Sequence, residues 1–193
     1  MSSDTGATVH EGVVNDRIAR ILTVKLGMDC RAERVLRRGK RPDIRCHYRG
    51  LIVGIEASYN KRDAEEDAKR RLEQGLVDVA IALWIKQKYP DVREDELDKL
   101  IESSKFDVKV FVPREVSGPL LVFLEKRGVK KLIEPATGWL KDVGLPYIKT
   151  LLDHVVDFLV REEEVERLME KVREKVYDFI SISKSLDRDG KLS

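Results

Sequence analysis

The 193-residue chain contains only two cysteines, Cys30 and Cys46, two asparagines, Asn15 and Asn60, and two glutamines, Gln74 and Gln87. Two cysteines are too few for a disulfide framework and lack metal-ligand spacing, so the expectation is a pair of reduced thiols in a cytoplasmic protein. Scarce amides beside abundant Lys, Arg and Glu match the composition of thermophile proteins. No apolar run approaches the length of a membrane span, so no membrane partner is expected. The opening "MSSDTGATVHEG" has no basic stretch followed by an apolar one, and no secretory signal is expected from it. The three histidines, His10, His47 and His154, are scattered. No Ser-His-Asp order stands out, and "SGPL" and "ATGWL" do not have the spacing of a phosphate-cradling loop. Trp84 and Trp139 read as core, and there is no internal repeat or low-complexity segment.

What is present is charge and a long apolar pattern. Charged residues make up 37% of the chain and hydrophobic ones 42%, with a net charge of +2, so a soluble globular domain with a heavily charged surface is expected. Positive charge is concentrated between 31 and 49, where Arg31, Arg34, Arg37, Arg38, Lys40, Arg41, Arg45 and Arg49 face only Glu33 and Asp43. Such a block reads either as a solvated hairpin or as a surface that holds the phosphates of a nucleic acid.

Val14, Ile18, Ile21, Leu22 and Leu26 recur at helical spacing over 10–26, with Gly27 as a stop. Residues 33–38 alternate weakly and suggest a strand. "RPDIRCHY", "RG" and "LIVGIEAS" read as strand, tight turn and strand. The run "LIVGIEA" is apolar on both faces except at Glu56, which marks a central strand. Residues 63–76 predict a helix with Asp63 as N-cap, Glu66 three places on, and a narrow stripe of Ala64, Ala68 and Leu72. A buried strand at 77–85, a helix in "YPDVREDELDKLIESS" and a strand in "FDVKVFV" follow. The order predicts an α/β fold with a mixed central sheet flanked by helices. The expected organisation is a disordered tail at 1–9, an α/β core at 10–112, and a mainly helical extension at 113–193. Within the extension, "SGPLLVFLEKRG" and "PATGWLKDVG" suggest short helices and loops, and 146–183 two helices in succession. There Val165, Leu168, Met169, Val172, Val176, Phe179 and Ile180 form a stripe. The stripe reads either as a face packed on its own domain or as the contact of a homodimer or larger complex.

Asp43 follows a proline, and Glu56 interrupts an apolar strand. On paired antiparallel strands joined at Arg49-Gly50, the two acids can converge. Converging carboxylates repel, and a divalent cation offsets the repulsion. Oxygen ligands select Mg²⁺ or Mn²⁺, and such an ion beside a basic surface is the minimal apparatus for phosphodiester hydrolysis. The plainer alternative is Glu56 paired with one of the arginines in the core, with no nucleic-acid role.

"PDIRCHYRGLIVGIEAS" resembles the motif of the PD-(D/E)XK nuclease superfamily, the restriction-endonuclease-like fold. Pro42-Asp43 matches its first half, and Glu56-Ala57 matches its second acid and intervening residue. The surroundings over about 10–112, an opening helix, a hairpin, then a helix and a strand, are similar as well. The resemblance implies a metal-dependent endonuclease, of restriction or defence type, acting on DNA. Asp43 and Glu56 would be metal ligands, with the carbonyl of Ala57 as a third and Glu11 binding through water. Arg37, Arg38, Lys40, Arg41, Arg45 and Arg62 would hold nucleic-acid phosphates, with His47 near them.

The departure is Ser58, which stands where the family has its lysine. Either the lysine has migrated, to Lys61 by preference or to Lys69, or the metal alone activates the water. The third account is a catalytically inactive module that keeps the fold and binds nucleic acid or assembles a larger complex. Gln74 is a further polar residue on the helix after the motif.

Overall fold

The computed structural model describes residues 7–33, 42–129 and 138–188, with side chains described as far as 175. The expected strand at 33–38, apart from Glu33, lies outside these residues, as do Arg37, Arg38, Lys40 and Arg41 and the first six residues of the expected tail. Residues 7–9 of that tail are tied down: Thr8 bridges Pro90, and Val9 is buried and donates its N–H to the Tyr89 carbonyl at 2.9 Å.

The described elements run α1 (Glu11–Val24), β1 (Asp29–Ala32), β2 (Ile44–Tyr48), β3 (Leu51–Ser58), α2 (Lys61–Glu73), β4 (Val79–Trp84), α3 (Glu94–Ser103), β5 (Phe106–Phe111), α4 (Arg114–Lys126), β6 (Leu140–Val143) and α5 (Leu145–Arg188). The strands form one sheet in sequence order, β1-β2-β3-β4-β5-β6. Only the β3–β4 pairing is parallel, and α2 makes the crossover a parallel pair requires. The fold is therefore α/β with a mixed, mostly antiparallel sheet.

Alternation along the strands sets the two faces of the sheet. Ile44, Cys46, Val53, Ile55, Ile81 and Leu83 are buried on one side. On that side α1 meets β1 through Thr23, whose hydroxyl donates to the Cys30 carbonyl and accepts from the Cys30 N–H, both at 2.9 Å. The other face carries Ile52, Gly54, Glu56, Ala80 and Ala82, and α2 lies on it. Ala64 and Ala68 of α2 pack with Val77, Ala80 and Ala82. Small residues on both partners let helix and sheet approach closely. A Cβ at Gly54 would sit 2.9 Å from Val77 Cγ1 and 3.2 Å from Pro42 Cβ.

Several expectations change. Cys30 and Cys46 are register partners across β1 and β2 and form a disulfide. The reading as reduced thiols is corrected, because strand register brings together two residues that spacing alone left apart. The N-cap of α2 is Asn60, whose side chain accepts from the Asp63 N–H, so the helix starts before the expected Asp63 cap. "LKDV", expected among short helices and loops, is β6, paired with the edge of β5. Four residues with two charges show no alternation to read, and the strand exists because β5 offers it a ladder. The sheet thus extends past residue 112, and the first of two compact units runs Met1–His154.

The second unit, Val155–Ser193, contains most of α5. The pair of helices expected at 146–183 is one helix of 44 residues, which fits the absence of Gly and Pro between 147 and 188. Val165, Leu168, Met169 and Val172 are exposed on it rather than packed, and Val176, Phe179 and Ile180 lie beyond the described side chains. Among the described residues, no helix is long and apolar enough to cross a membrane.

Candidate functional site

Asp43 stands immediately before β2, and Glu56 is the sixth residue of β3. The β2–β3 register, Ile44 opposite Ile55, places Asp43 opposite Glu56 one step further. The Asp43 N–H donates to Glu56 Oε2 at 3.3 Å, and the charge of Asp43 acts on the Glu56 carboxyl. The convergence expected from sequence is therefore present.

Glu56 is only 1% exposed. Burial, then the charge of Asp43 and the bond to it, push its pKa up to about 9, against the opposing pull of Arg71. Asp43 is also raised, first by burial, while its bond to Glu56 pulls it down. Both shifts are upward, so the pair favours keeping a shared proton, because two carboxylates close together in a poorly solvated site resist ionising together.

The cation of the site is Arg71. Its Nε donates to Glu56 Oε1 at 2.8 Å, and Nη1 donates to Gln74 Oε1 at 3.3 Å. Sequence reasoning missed Arg71 while naming Gln74. The signal was there: Arg71 follows Ala64 and Ala68 at i+7 and i+3, on the stripe that faces the sheet.

Lys61, the preferred migrated lysine, is placed differently. Its ammonium lies over the rings of Trp84 and Trp139, 5.0 and 5.1 Å from their centroids. Lys69 is exposed. Among the described residues, Arg71 acts on both Asp43 and Glu56.

Ser58, at the lysine position of the motif that the sequence resembles, is bonded to Glu11. Its hydroxyl donates to Glu11 Oε1 at 2.9 Å, and the Tyr59 N–H donates to the same oxygen at 2.8 Å. Ser58 Oγ in turn accepts from the Asn60 N–H. Glu11, in the first turn of α1, thus ties that helix to the end of β3. Its charge also acts on Asp43, but among the described residues no three of His, Cys, Asp and Glu are grouped so as to hold a metal ion.

Of the expected phosphate-binding residues, Arg45 and His47 are exposed on β2, and Arg62 on α2 is paired with Glu66 at 3.0 Å. No family model matches the chain, and neither a curated protein nor a solved structure matches it.

Proposed function

We propose that the chain is a metal-dependent nuclease of the restriction-endonuclease-like kind, hydrolysing phosphodiester bonds with DNA as its substrate. The observation that carries the reading is the convergence of Asp43, at the start of β2, on the buried Glu56 of β3, whose carboxyl accepts from the Asp43 N–H. The order α1-β1-β2-β3-α2-β4, with an antiparallel hairpin before a parallel pair, supports it, because the resemblance in the motif implies the same surroundings.

The donor set fits a hard divalent cation. Both acids offer oxygen only, and their mutual repulsion is what a divalent charge relieves. Two protein carboxylates suffice for Mg²⁺, which commonly completes its shell with waters and substrate phosphate. Bound there, Mg²⁺ or Mn²⁺ would lower the pKa of a water and neutralise charge on the phosphate. The carbonyl of Ala57 belongs to the proposed ligand set by resemblance, while Glu11 serves first as the anchor of Ser58 and Tyr59.

Arg71 supplies the positive charge that the motif lysine would bring. A guanidinium does not give up a proton, so Arg71 orients and neutralises Glu56 rather than acting as a base.

A second reading, a nuclease-fold module without the reaction, is favoured by one observation: the site's own cation already occupies Glu56. Cleavage of plasmid and linear DNA with Mg²⁺ or Mn²⁺ separates the two. The nuclease reading expects cutting that Glu56→Ala abolishes and metal binding that the same change weakens. Nucleic-acid binding with neither leaves the inactive module.

The proposal includes a cytoplasmic setting, although the cysteines no longer argue for it. It also includes a homodimer through α5, where Val165, Met169 and Val172 follow the four-three spacing of a two-stranded seam.

A further inference from the structure

The β1–β2 ladder aligns like charges. Arg31 and Arg45 are direct register partners and both are exposed. Like charges directly opposite each other on one sheet face are destabilising. Among the described residues, neither arginine makes an ion pair with a carboxylate. Both line a shallow cavity of about 370 Å³ that also contains Asp29, Glu33 and His47.

Two features hold this arrangement in place. The neighbouring register pair on the opposite face is Cys30–Cys46, and its disulfide ties the two strands beside the arginines. Gly54 is the β3 residue opposite Arg45, so no third side chain stands in that row. A covalent link beside two opposed guanidinium groups, neither of them in an ion pair among the described residues, is a geometry that suits an anion clamp.

The clamp adjoins the acid pair. Asp43, just before β2, and Arg45 on it lie two residues apart and share one face, about 7 Å along the chain. The Glu33 N–H donates to the Asp43 carbonyl at 2.9 Å, continuing the β1–β2 ladder to the level of the acids. The arginine row and the acid row are thus successive rows of one surface, beside the helix that carries Arg71.

We propose that Arg31 and Arg45 together clamp one backbone phosphate of a nucleic acid, one sheet row from Asp43. Each guanidinium can offer two parallel N–H groups to phosphate oxygens, and the anion removes the repulsion between them. Asp29 lies opposite His47 and so bounds the clamp on the side away from the acids. The proposal deepens the nuclease reading by assigning the side from which substrate enters, but it concerns binding and stands apart from cleavage.

The test is fluorescence anisotropy of a labelled DNA duplex, with single-stranded DNA and RNA of the same sequence as separate arms, in EDTA so that nothing is cut. Arg31→Ala and Arg45→Ala are each expected to weaken binding about tenfold, the scale of one charged hydrogen-bonding group. Each is expected to reduce the salt slope by about one. Arg93→Ala, at an exposed arginine near Asp95 and Glu96, should change neither. Melting in the absence of nucleic acid is the folding control: both variants should melt at or above wild type, since each removes the repulsion. Wild-type affinity and slope in the double variant would overturn the clamp and leave the nuclease reading standing. Failure of the wild type to bind any of the three probes would overturn it as well. Binding lost on the arginine changes, with cleavage separately lost on Glu56→Ala, supports both readings.

Discussion

Arg71 Nε lies 2.8 Å from Glu56 Oε1, and both side chains are buried, 6% and 1% exposed. A carboxyl that interrupts an otherwise apolar strand thus has its partner on the helix that covers that strand. Removing one member of a buried pair leaves the other unpaired, which costs about 3–5 kcal/mol. Arg71→Ala is expected near the lower end of that range, because the proton shared by the acid pair can then stay on Glu56 and leave it uncharged. Urea denaturation at neutral pH checks this, and a cost below about 1 kcal/mol would show that Arg71 contributes little to the fold.

The acid pair sets a pH dependence. Glu56 has a folded pKa raised from the ordinary 4.5 to about 9, so between those values the folded chain binds more protons than the unfolded one. Stability is then expected to fall as pH rises across this window, the reverse of the usual behaviour of a salt-bridged carboxylate. Glu56→Gln should flatten the slope. Denaturant midpoints measured across the window decide it, and a slope unchanged by the substitution would contradict the shared proton.

Metal binding should run against that gradient. A cation that needs both carboxylates ionised must displace the proton, so its affinity should rise with pH and its binding should release a proton. Calorimetry in two buffers of different ionisation enthalpy measures the release. After chelation, the protein should lose more stability above pH 8 than below pH 6, limits of about one unit either side of neutrality.

The disulfide closes a loop of sequence separation 16, for which chain entropy gives about 3 kcal/mol. The double change of Cys30 and Cys46 to Ala is expected to lower stability by about 2–4 kcal/mol under non-reducing conditions. A thiol assay on the unfolded, unreduced protein should find no free sulfhydryl. Full thiol reactivity would restore the reduced reading.

Gly54→Ala puts a methyl group 2.9 Å from Val77 Cγ1 and 3.2 Å from Pro42 Cβ. An overpacked contact of this kind costs about 1–3 kcal/mol. Because Pro42 precedes Asp43, the change should also impair metal binding more than a remote substitution of equal destabilisation. Melting and calorimetry on the same variant separate the two effects.

Much of the site was legible in the sequence because its two acids lie on adjacent strands of one hairpin. The turn at Arg49-Gly50 fixes the pairing, with positive φ at both residues, and the apolar alternation fixes which side chains share a face. Asp43 and Glu56 follow from those local rules. The types of α1 and of the elements from β2 to β5 follow in the same way, since each carries its own periodicity, whereas β1 at Asp29–Ala32 lies where no strand was expected.

What the sequence alone determined is local: periodicity, turns and the pairing within the central hairpin. The tertiary structure decided the partners that meet across elements. Arg71 reaches Glu56 only once α2 has docked on β3, and Cys30 meets Cys46 only in the register of β1 on β2. Lys61 was the nearest cation along the chain, yet its ammonium lies over Trp84 and Trp139. β6 pairs because β5 leaves an edge open, although its own four residues carry no strand pattern. In each case the deciding term is a contact between segments whose separation along the chain says nothing about their distance in space.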